Sequence, residues 1–422
     1  MTAEGEPSSV AGAVPMRPSP TLCAKPHPVA PLRSLVLPQR NVLARRVLRT
    51  PGLQLTFQAR GALLIAFTEI ASTRPGAKVL VPGFHCPSVV SPVLLAGLKP
   101  VYYHIRRDLS VDYEDLISKA NADVAAILII HFFGVAPDLK PLIPLRQKGL
   151  ALVEDCSHAF VAHPVRLAGD EASDYRIFSF WKTVPSGVGG GLWRAPPRRG
   201  AITEMPLVQA PLGARLRNYK RLLEESVEFA EHRTLRFGLS LLDRLRSLAQ
   251  KDPTAGADAT CLPDPMRGED YYPIDPALAC SAIPRHALRI IESSDLEVII
   301  AKRRANHATY AAAAESMGGM VSLQRDLPQQ SCPWVYPVLL PDRAKFDFRL
   351  RAAGVQLHTF GIYLHSTLYD LGDKRTLADA RFLASNILCL SVHQDLAVKD
   401  IEQAVQTIRI DLPHRHSHEL SG

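Results

Sequence analysis

A regular alternation between short apolar runs and helix-like segments limits the folds available to this chain. The apolar runs lie at residues 78–84, 100–105, 124–134, 150–157 and 175–180. The segments between them, such as 88–98 and 112–121, have the apolar spacing of amphipathic helices. Strands that are apolar throughout and are separated by helices are typical of a mostly parallel sheet with helices on both faces. The sequence therefore predicts an α/β fold, and in such sheets ligands bind at the carboxyl ends of the strands.

The remaining segments suggest a second, smaller domain and several elaborations. A chain of 422 residues is long enough for two domains. We predict a disordered tail at 1–31, a large domain at 32–275 with a helical insertion at about 195–270, a small α+β domain at 276–412, and a tail at 413–422. The amphipathic pattern of 212–250 indicates helices packed on the large domain, and a surface for a membrane or a partner is the alternative.

Composition excludes several classes of protein. The net charge of +8 is spread along the chain, so no nucleic-acid partner is expected. Seven scattered cysteines without a CxxC pair predict neither a zinc site nor a disulfide framework. No apolar run is long enough to span a membrane, and no signal peptide is recognisable, so we expect a cytoplasmic protein without membrane contact.

Two predicted strands end in polar residues that could carry chemistry. The first runs into "VEDCSHAF" (153–160), and the second into "FSFWKTVPSGVGGG" (178–191). Lys182 lacks the preceding glycines of a phosphate-binding P-loop, which leaves a solvated surface lysine or a buried amine suited to Schiff-base chemistry. Asp155 could cap a helix or bind a ligand at the sheet edge.

Together, Asp155 and Lys182 are what a pyridoxal 5′-phosphate site requires. The cofactor's aldehyde reacts with a lysine amine, and its pyridine nitrogen needs a carboxylate to hold a proton. Because both residues follow strands of one predicted parallel sheet, we expect them to lie in the same site.

The chain from about residue 53 to 410 resembles the DegT/DnrJ/EryC1/StrS aminotransferases, which belong to the fold-type-I pyridoxal phosphate class. The resemblance is carried in order by "VLVPGFHCPSVVSPVLLAGLKPVYYHI", "DLSVDYEDLI", "AAILIIHFFG", "LALVEDCSHAF", "IFSFWKTVPSGVGGGLW" and "NILCLSVHQDLAVKDIEQAVQTI". It implies a large domain with a mostly parallel sheet sandwiched by helices and a smaller α+β domain at the C-terminus.

The resemblance also implies roles for particular residues. Lys182 would be the catalytic Schiff-base lysine, and Asp155 would bind the pyridine nitrogen. His158 would lie near the phenolic oxygen of the cofactor, although a structural histidine is the alternative. The remaining candidates for binding the phosphate group are Ser179, Arg60, Gly61 and Ala62.

The chain departs from the family pattern in three places. Where an aromatic residue often covers the cofactor ring, it offers His85 and Cys86 in "FHCPS". The segment that reaches the phosphate from a partner subunit reads "YYPID" (271–275), without the usual Asn and Arg. The "SFWKT" spacing between Ser179 and Lys182 resembles only a subset of the family.

The predicted function is a ping-pong transfer of an amino group from an amino acid, by family default glutamate, to a keto acceptor. A nucleotide-linked keto sugar is the expected acceptor, and a cyclitol or a carrier-linked keto compound is the alternative. An inactive scaffold with the same fold is a further alternative. Sugar dehydration is disfavoured because family members with that activity replace the lysine. The resemblance also implies a homodimer.

Overall fold

The computed structural model describes most of the chain. The described residues are 27–36, 40–159, 173–196, 205–228, 274–315, 320–329 and 331–411. Among the helices of these segments, none is both long and apolar enough to cross a bilayer.

A nine-stranded sheet forms the larger part of the fold. Its strands are β1 (Leu53–Thr56), β2 (Lys78–Pro82), β3 (Lys99–Tyr103), β4 (Val124–Ile130), β5 (Ala151–Asp155), β6 (Tyr175–Ser179), β7 (Gly190–Arg194), β8 (Val208–Gln209) and β9 (Ser281–Ala282). They lie in the order β3-β2-β4-β5-β6-β7-β1-β9-β8. Strands β3 to β6 in this order are parallel, and β7 and β1 are each antiparallel to the strand before them. The carboxyl ends of β5 and β6 therefore meet at one edge.

Helices cover this sheet and bury its apolar strands. Those up to residue 228 are Leu32–Val36, Val42–Leu48, Ala59–Thr73, Val90–Leu95, Tyr113–Lys119, Ile143–Gln147 and Leu212–Glu228. All seven residues of β4 are buried, which explains its continuous apolar sequence.

A second, antiparallel sheet follows in the C-terminal part of the chain. Its strands are β10 (Val321–Ser322), β11 (Val335–Leu339), β12 (Leu357–His358) and β13 (Ile387–Ser391), in the order β10-β11-β13-β12. The helices of this region are Pro276–Ala279, Arg285–Ser293, Leu296–Ala314, Arg343–Ala352, Ser366–Leu371, Lys374–Asn386 and Val398–Asp411. The α/β class and the small α+β unit agree with the sequence prediction.

Several element predictions need correction. The sequence pattern from about residue 276 predicts one long helix with an interruption near Pro284, but the structure has three helices there. They are separated by β9 and by a second break, where Asp295 caps the helix Leu296–Ala314 through the N–H of Val298. The sequence "LADARFLASNILCL" (377–390) also predicts a helix, but the helix ends at Asn386, because "ILCLS" pairs with β11 as β13. Leucine and cysteine in a buried strand do not distinguish it from a buried helix.

The boundaries of the predicted tail and of the large domain also differ from the structure. Residues 27–31, assigned to a disordered tail, are packed: Ala30 is buried, and the N–H of Val29 donates to Asp395 Oδ2 at 2.9 Å. Beyond the predicted boundary at 275, Ala282 pairs with Thr56 of β1, so the large sheet includes residues after the insertion. Two-residue strands carry too little pattern to be found from sequence.

A buried ion-pair network joins the end of β3 to the helix Lys374–Asn386. His104 is almost completely buried, with Nδ1 at 3.0 Å from Asp112 and Nε2 at 2.8 Å from Asp379. Arg107 Nε donates to the other oxygen of Asp379 at 2.7 Å. Burial acts to raise the pKa of Asp379, but hydrogen bonds from Arg107 and His104 outweigh it and lower the pKa below its ordinary value.

We expect Asp379→Asn to destabilise the protein at pH 7 by on the order of 1–2 kcal/mol. The folded-state pKa of Asp379 is lowered, so the stability it contributes is complete above the unfolded pKa of about 3.9 and is lost as the pH falls through the folded pKa. Denaturant unfolding at pH 7 and pH 3 should therefore show a smaller gap between variant and wild type at pH 3. Asp370→Asn, at an exposed position, is the control, and a gap that does not narrow with acid would contradict the prediction.

Candidate functional site

A cavity of about 580 Å³ opens at the carboxyl ends of β5 and β6. One wall comes from the large sheet and its helices, and the other from residues next to β11 and β12 of the small sheet. Of the residues predicted from sequence, the cavity wall includes Arg60, Cys86, Asp155, His158, Ser179 and Lys182. The structure thus brings the two polar strand ends into one site.

Asp155 is the last residue of β5, and its side chain points to the cavity. The strand alternation places the neighbouring Glu154 on the opposite face of the sheet. Asp155 is buried, and its Oδ1 accepts a hydrogen bond from the N–H of Ser157 at 2.9 Å. A carboxylate held in this way has an oxygen left to accept a hydrogen bond from a ligand.

Lys182 lies in a short 3₁₀ turn, Phe180–Lys182, that begins where β6 ends. The side chain is half-buried, and Nζ lies 4.6 Å from the centroid of the Trp334 ring. Burial lowers the pKa of Lys182 below its ordinary value, although the negative charge of Asp155 acts in the opposite direction. A lysine with a lowered pKa has a larger fraction of neutral amine, which is the nucleophilic form.

The glycines that follow Lys182 let the chain pass close to its neighbours. Gly187 has φ +69°, and a Cβ there would lie 2.4 Å from Oδ1 of Asn218. A Cβ at Gly190 would lie 2.4 Å from the backbone carbon of Gln58, immediately before the helix Ala59–Thr73. The glycine-rich sequence therefore brings β7 against the start of this helix, next to the cavity.

His158 is a neutral side chain with a defined tautomer. Its Nδ1 accepts the N–H of Phe133 at 3.2 Å, so the ring proton is on Nε2. Burial holds the pKa of His158 well below its ordinary value, and the positive charge of Lys182 adds to the effect. The ring stacks on Trp334 with centroids 4.2 Å apart and meets Phe360 edge-on at 4.7 Å.

The candidates for phosphate binding separate into two groups. Ser179, at the end of β6, and Arg60, in the first turn of the helix Ala59–Thr73, line the cavity. This helix has no side-chain hydrogen bond at its N-cap, Gln58, so its N-terminal dipole faces the cavity without a capping side chain. Gly61 and Ala62 do not line the cavity. Their N–H groups donate to the carbonyl of Gln58, and Gly61 packs against Ala279.

The structure separates the two residues considered for covering the cofactor ring. Cys86 lines the cavity, whereas His85 is completely buried beside it. His85 Nδ1 lies 2.9 Å from the carbonyl of Gly83, and Nε2 accepts the N–H of His365 at 3.2 Å. Both nitrogens of His85 are therefore used within the fold, and burial lowers its pKa to about 4. A role for His85 at the cofactor ring stays a prediction.

Residues that sequence reasoning missed form the second wall. Trp334, His358 and Phe360 flank or belong to strands of the small sheet, while Arg351 ends a helix there. Arg221, on the helix Leu212–Glu228 of the insertion, also lines the cavity and donates to the carbonyl of Gly187 at 3.1 Å. Aromatic residues next to short strands were the only available sequence signal, and that signal is equally typical of a core.

The remaining sequence expectations about this region fall partly outside the described residues. In the "YYPID" segment, residues 271–273 are not described, and the side chain of Asp275 caps the helix Pro276–Ala279 through the N–H of Ala277. Of the insertion, the structure describes residues 205–228, which contain one long helix, so the helical pattern over 229–250 stays a prediction.

Comparison with solved structures identifies the class of this fold. AtS13 from Actinomadura melliaura matches with a TM-score of 0.59 and 19% identity, over 94% of this chain and 100% of that chain. The PMP-form of Spr1654, a putative sugar aminotransferase from Streptococcus pneumoniae, matches with a TM-score of 0.61 and 16% identity, over 91% of this chain and 96% of that chain. The protein has the fold of the fold-type-I pyridoxal phosphate transferases, which confirms the fold predicted from sequence.

The sequence comparisons show a family resemblance over part of the chain. Residues 56–193 match the model of the DegT/DnrJ/EryC1/StrS aminotransferase family, so the resemblance noted from the motifs is confirmed over this segment, which contains Asp155 and Lys182. GDP-perosamine synthase from Vibrio cholerae is 33% identical over 133 residues, or 31% of this chain and 36% of that protein. The dTDP-3-amino-3,4,6-trideoxy-alpha-D-glucose transaminase of Micromonospora megalomicea subsp. nigra is 32% identical over 132 residues, or 31% and 35%. The matched segment spans about a third of each of these curated relatives.

Proposed function

We propose that this protein is a pyridoxal 5′-phosphate-dependent aminotransferase, which transfers an amino group from an amino acid to a keto acceptor. The observation that carries the proposal is the pairing of a half-buried lysine and a buried aspartate in one cavity, at the ends of neighbouring strands. The family match over residues 56–193 supports the same class of enzyme.

The side chains around the cavity fit this cofactor at three points. Lys182 offers an amine whose pKa is lowered by burial, as bond formation with an aldehyde requires. Asp155 offers a carboxylate that can accept a hydrogen bond from a protonated ring nitrogen. Arg60, Ser179 and the start of the helix Ala59–Thr73 offer positive charge and donors for a phosphate group.

Each residue then has a defined part in the reaction. Pyridoxal phosphate, when bound, supplies an aldehyde that bonds to amines and a protonated ring that accepts the electron pair of a broken C–H bond. Lys182 Nζ accepts the proton from the substrate carbon and returns it, so one amine serves as base and acid. Asp155 keeps the ring nitrogen protonated. His158 has its ring proton on Nε2 and can donate it in a hydrogen bond to an oxygen of the cofactor.

Transfer of the amino group through one site in two half-reactions implies ping-pong kinetics. The donor leaves as a 2-oxo acid before the acceptor binds. Initial rates measured at several fixed donor concentrations should therefore give parallel double-reciprocal lines.

Two arginines of the cavity wall favour an anionic acceptor. Arg221 and Arg351 both line the cavity and come from opposite walls. Each also pairs with an acidic residue of its own helix, Arg221 with Glu225 and Arg351 with Asp347. Two of the relatives, the GDP-perosamine synthase and the dTDP-3-amino-3,4,6-trideoxy-alpha-D-glucose transaminase, are named for nucleotide-linked compounds. We therefore propose a nucleotide-linked keto sugar as the acceptor and glutamate as the donor. A homodimer and a cytoplasmic location complete the proposal.

The visible absorption spectrum tests this function directly. We expect protein incubated with pyridoxal 5′-phosphate to develop a visible band of cofactor bonded to lysine, which glutamate bleaches and a keto acceptor restores. Addition of 2-oxoglutarate alone, which has no amine to give, is the control and should leave the band unchanged. A protein that develops no band would contradict the proposal and favour an inactive scaffold.

A further inference from the structure

A second cavity lies beside the insertion helix, away from Lys182 and Asp155. It has a volume of about 380 Å³, and its walls come from the first two turns of the helix Leu212–Glu228, from β8 and β9, and from the start of the helix Arg285–Ser293. This volume is within the range of small-molecule sites. None of the described residues of the main cavity wall contributes to it.

The side chains of this cavity carry positive charge and hydrogen-bond donors. Arg215 and Arg285 line it together with His286, Tyr219 and Gln209, and no acidic side chain is among the described residues of its wall. Neither arginine has an ion-pair partner in the described part of the chain, and Nε of Arg215 is buried without a hydrogen-bond acceptor. An N–H donor of a guanidinium that is buried without a partner costs free energy, which an anionic ligand would recover.

The neighbouring groups orient further donors. Asn218 donates to Nε2 of His286 at 2.8 Å, so the ring proton of this histidine is on Nδ1. Tyr219 meets the same ring edge-on, with centroids 5.5 Å apart. The helix Arg285–Ser293 begins at Pro284 without a side-chain cap, and its first residues line the cavity. These features reinforce the two arginines as a site for negative charge.

We propose that this cavity is a second binding site, for the phosphate group of a phosphorylated small molecule. Two arginines, a histidine N–H and a tyrosine hydroxyl match the donors that phosphate oxygens accept. The site does not depend on the proposed aminotransferase function. Arg215 and Arg221 lie on one helix, six residues or about 9 Å apart along its axis, and Arg221 lines the main cavity. The phosphate could therefore come from the acceptor itself or from a separate ligand.

Direct binding measurements test this site without requiring turnover. We expect isothermal titration of inorganic pyrophosphate into protein incubated with pyridoxal 5′-phosphate, whether or not the cofactor binds, to show binding that Arg215→Gln/Arg285→Gln weakens by at least about tenfold, the equivalent of one charge-assisted hydrogen bond. Hydrogen exchange of segments 212–219 and 285–288 should slow when pyrophosphate is added. The matched control, Arg217→Gln/Arg289→Gln, removes two exposed charges from the same two helices outside the cavity.

The outcomes separate the possibilities. Equal affinity of wild type and the cavity variant Arg215→Gln/Arg285→Gln for pyrophosphate would overturn the proposal. An equal loss of affinity in the control variant Arg217→Gln/Arg289→Gln would also overturn it, because the loss would then reflect net charge alone. If the phosphate belongs to the acceptor, the cavity variant should also raise the acceptor KM about tenfold with little change in kcat. An unchanged KM with weakened pyrophosphate binding would identify a separate ligand. A failed aminotransferase assay would leave the titration result intact.

Discussion

Replacing Lys182 with alanine should remove the visible band of bound cofactor and lower the transamination rate by at least about 10³-fold. The side chain would both form the covalent bond to the cofactor and move the proton between substrate and cofactor, so one substitution removes two functions. Among the described residues of the cavity wall, Lys182 is the only lysine, so no other amine lies in position to replace it. Visible absorption and a coupled assay of 2-oxo acid release measure the two effects separately.

Two further variants make the Lys182 experiment specific. Lys182→Arg keeps the positive charge over Trp334 but cannot form the bond, so it should resemble the alanine variant. Lys220→Ala removes an exposed lysine that is paired with Glu224 and should behave as wild type. If Lys182→Ala retained the band and lost less than about tenfold in rate, a different residue would hold the cofactor and the proposed mechanism would be wrong.

The residues of the site that could be predicted from the sequence pattern are those at the ends of strands. Asp155 and Lys182 follow continuous apolar runs, and the parallel topology of β5 and β6 makes their ends adjacent. Both predictions rest on a pattern that extends over several residues, so a small error in the predicted bounds of a strand does not change them. Ser179, the last residue of β6, also lines the cavity, but it was named as a candidate from the family resemblance and not from the strand pattern.

The orientation of single side chains could not be predicted. His85 and Cys86 are adjacent in sequence, and only the turn after β2 decides that Cys86 faces the cavity while His85 bonds to the carbonyls of Pro82 and Gly83. The second wall depends on how the small sheet packs against the large one. Trp334 and Phe360 reach the site through long-range contacts that leave no local periodicity.

A buried ion-pair cluster lies on the face of β5 that points away from the cavity, and we expect it to contribute strongly to the free energy of unfolding. Glu154 Oε1 lies 2.8 Å from Nε of Arg176, and Oε2 lies 2.7 Å from Nε2 of His131. All three side chains are almost completely buried. Burial acts to raise the pKa of Glu154, but His131 and Arg176 outweigh it, and the pKa falls well below its ordinary value. The carboxylate is therefore charged in the folded protein.

We expect Glu154→Gln to lower the free energy of unfolding by about 3–5 kcal/mol, because the buried guanidinium of Arg176 would lose the carboxylate of Glu154. Denaturant unfolding followed by circular dichroism measures this loss. Glu114→Gln, at an exposed position of the helix Tyr113–Lys119, should change it by less than about 0.5 kcal/mol. A loss for Glu154→Gln as small as that of the control would mean that water or another group compensates the arginine.

The double variant Glu154→Leu/Arg176→Met separates the cost of an unpaired charge from the value of the pair. Removing both charges eliminates the guanidinium that would otherwise lose its ion pair with Glu154, and methionine retains volume against Trp193, over whose ring Arg176 lies at 5.0 Å. We therefore expect this variant to be more stable than Glu154→Leu alone. Its cofactor band is a second readout, since the N–H of His131 donates to the carbonyl of Asp155 at 3.0 Å. A stable double variant with weakened cofactor binding would show that the cluster positions the edge of the sheet where Asp155 and Lys182 meet.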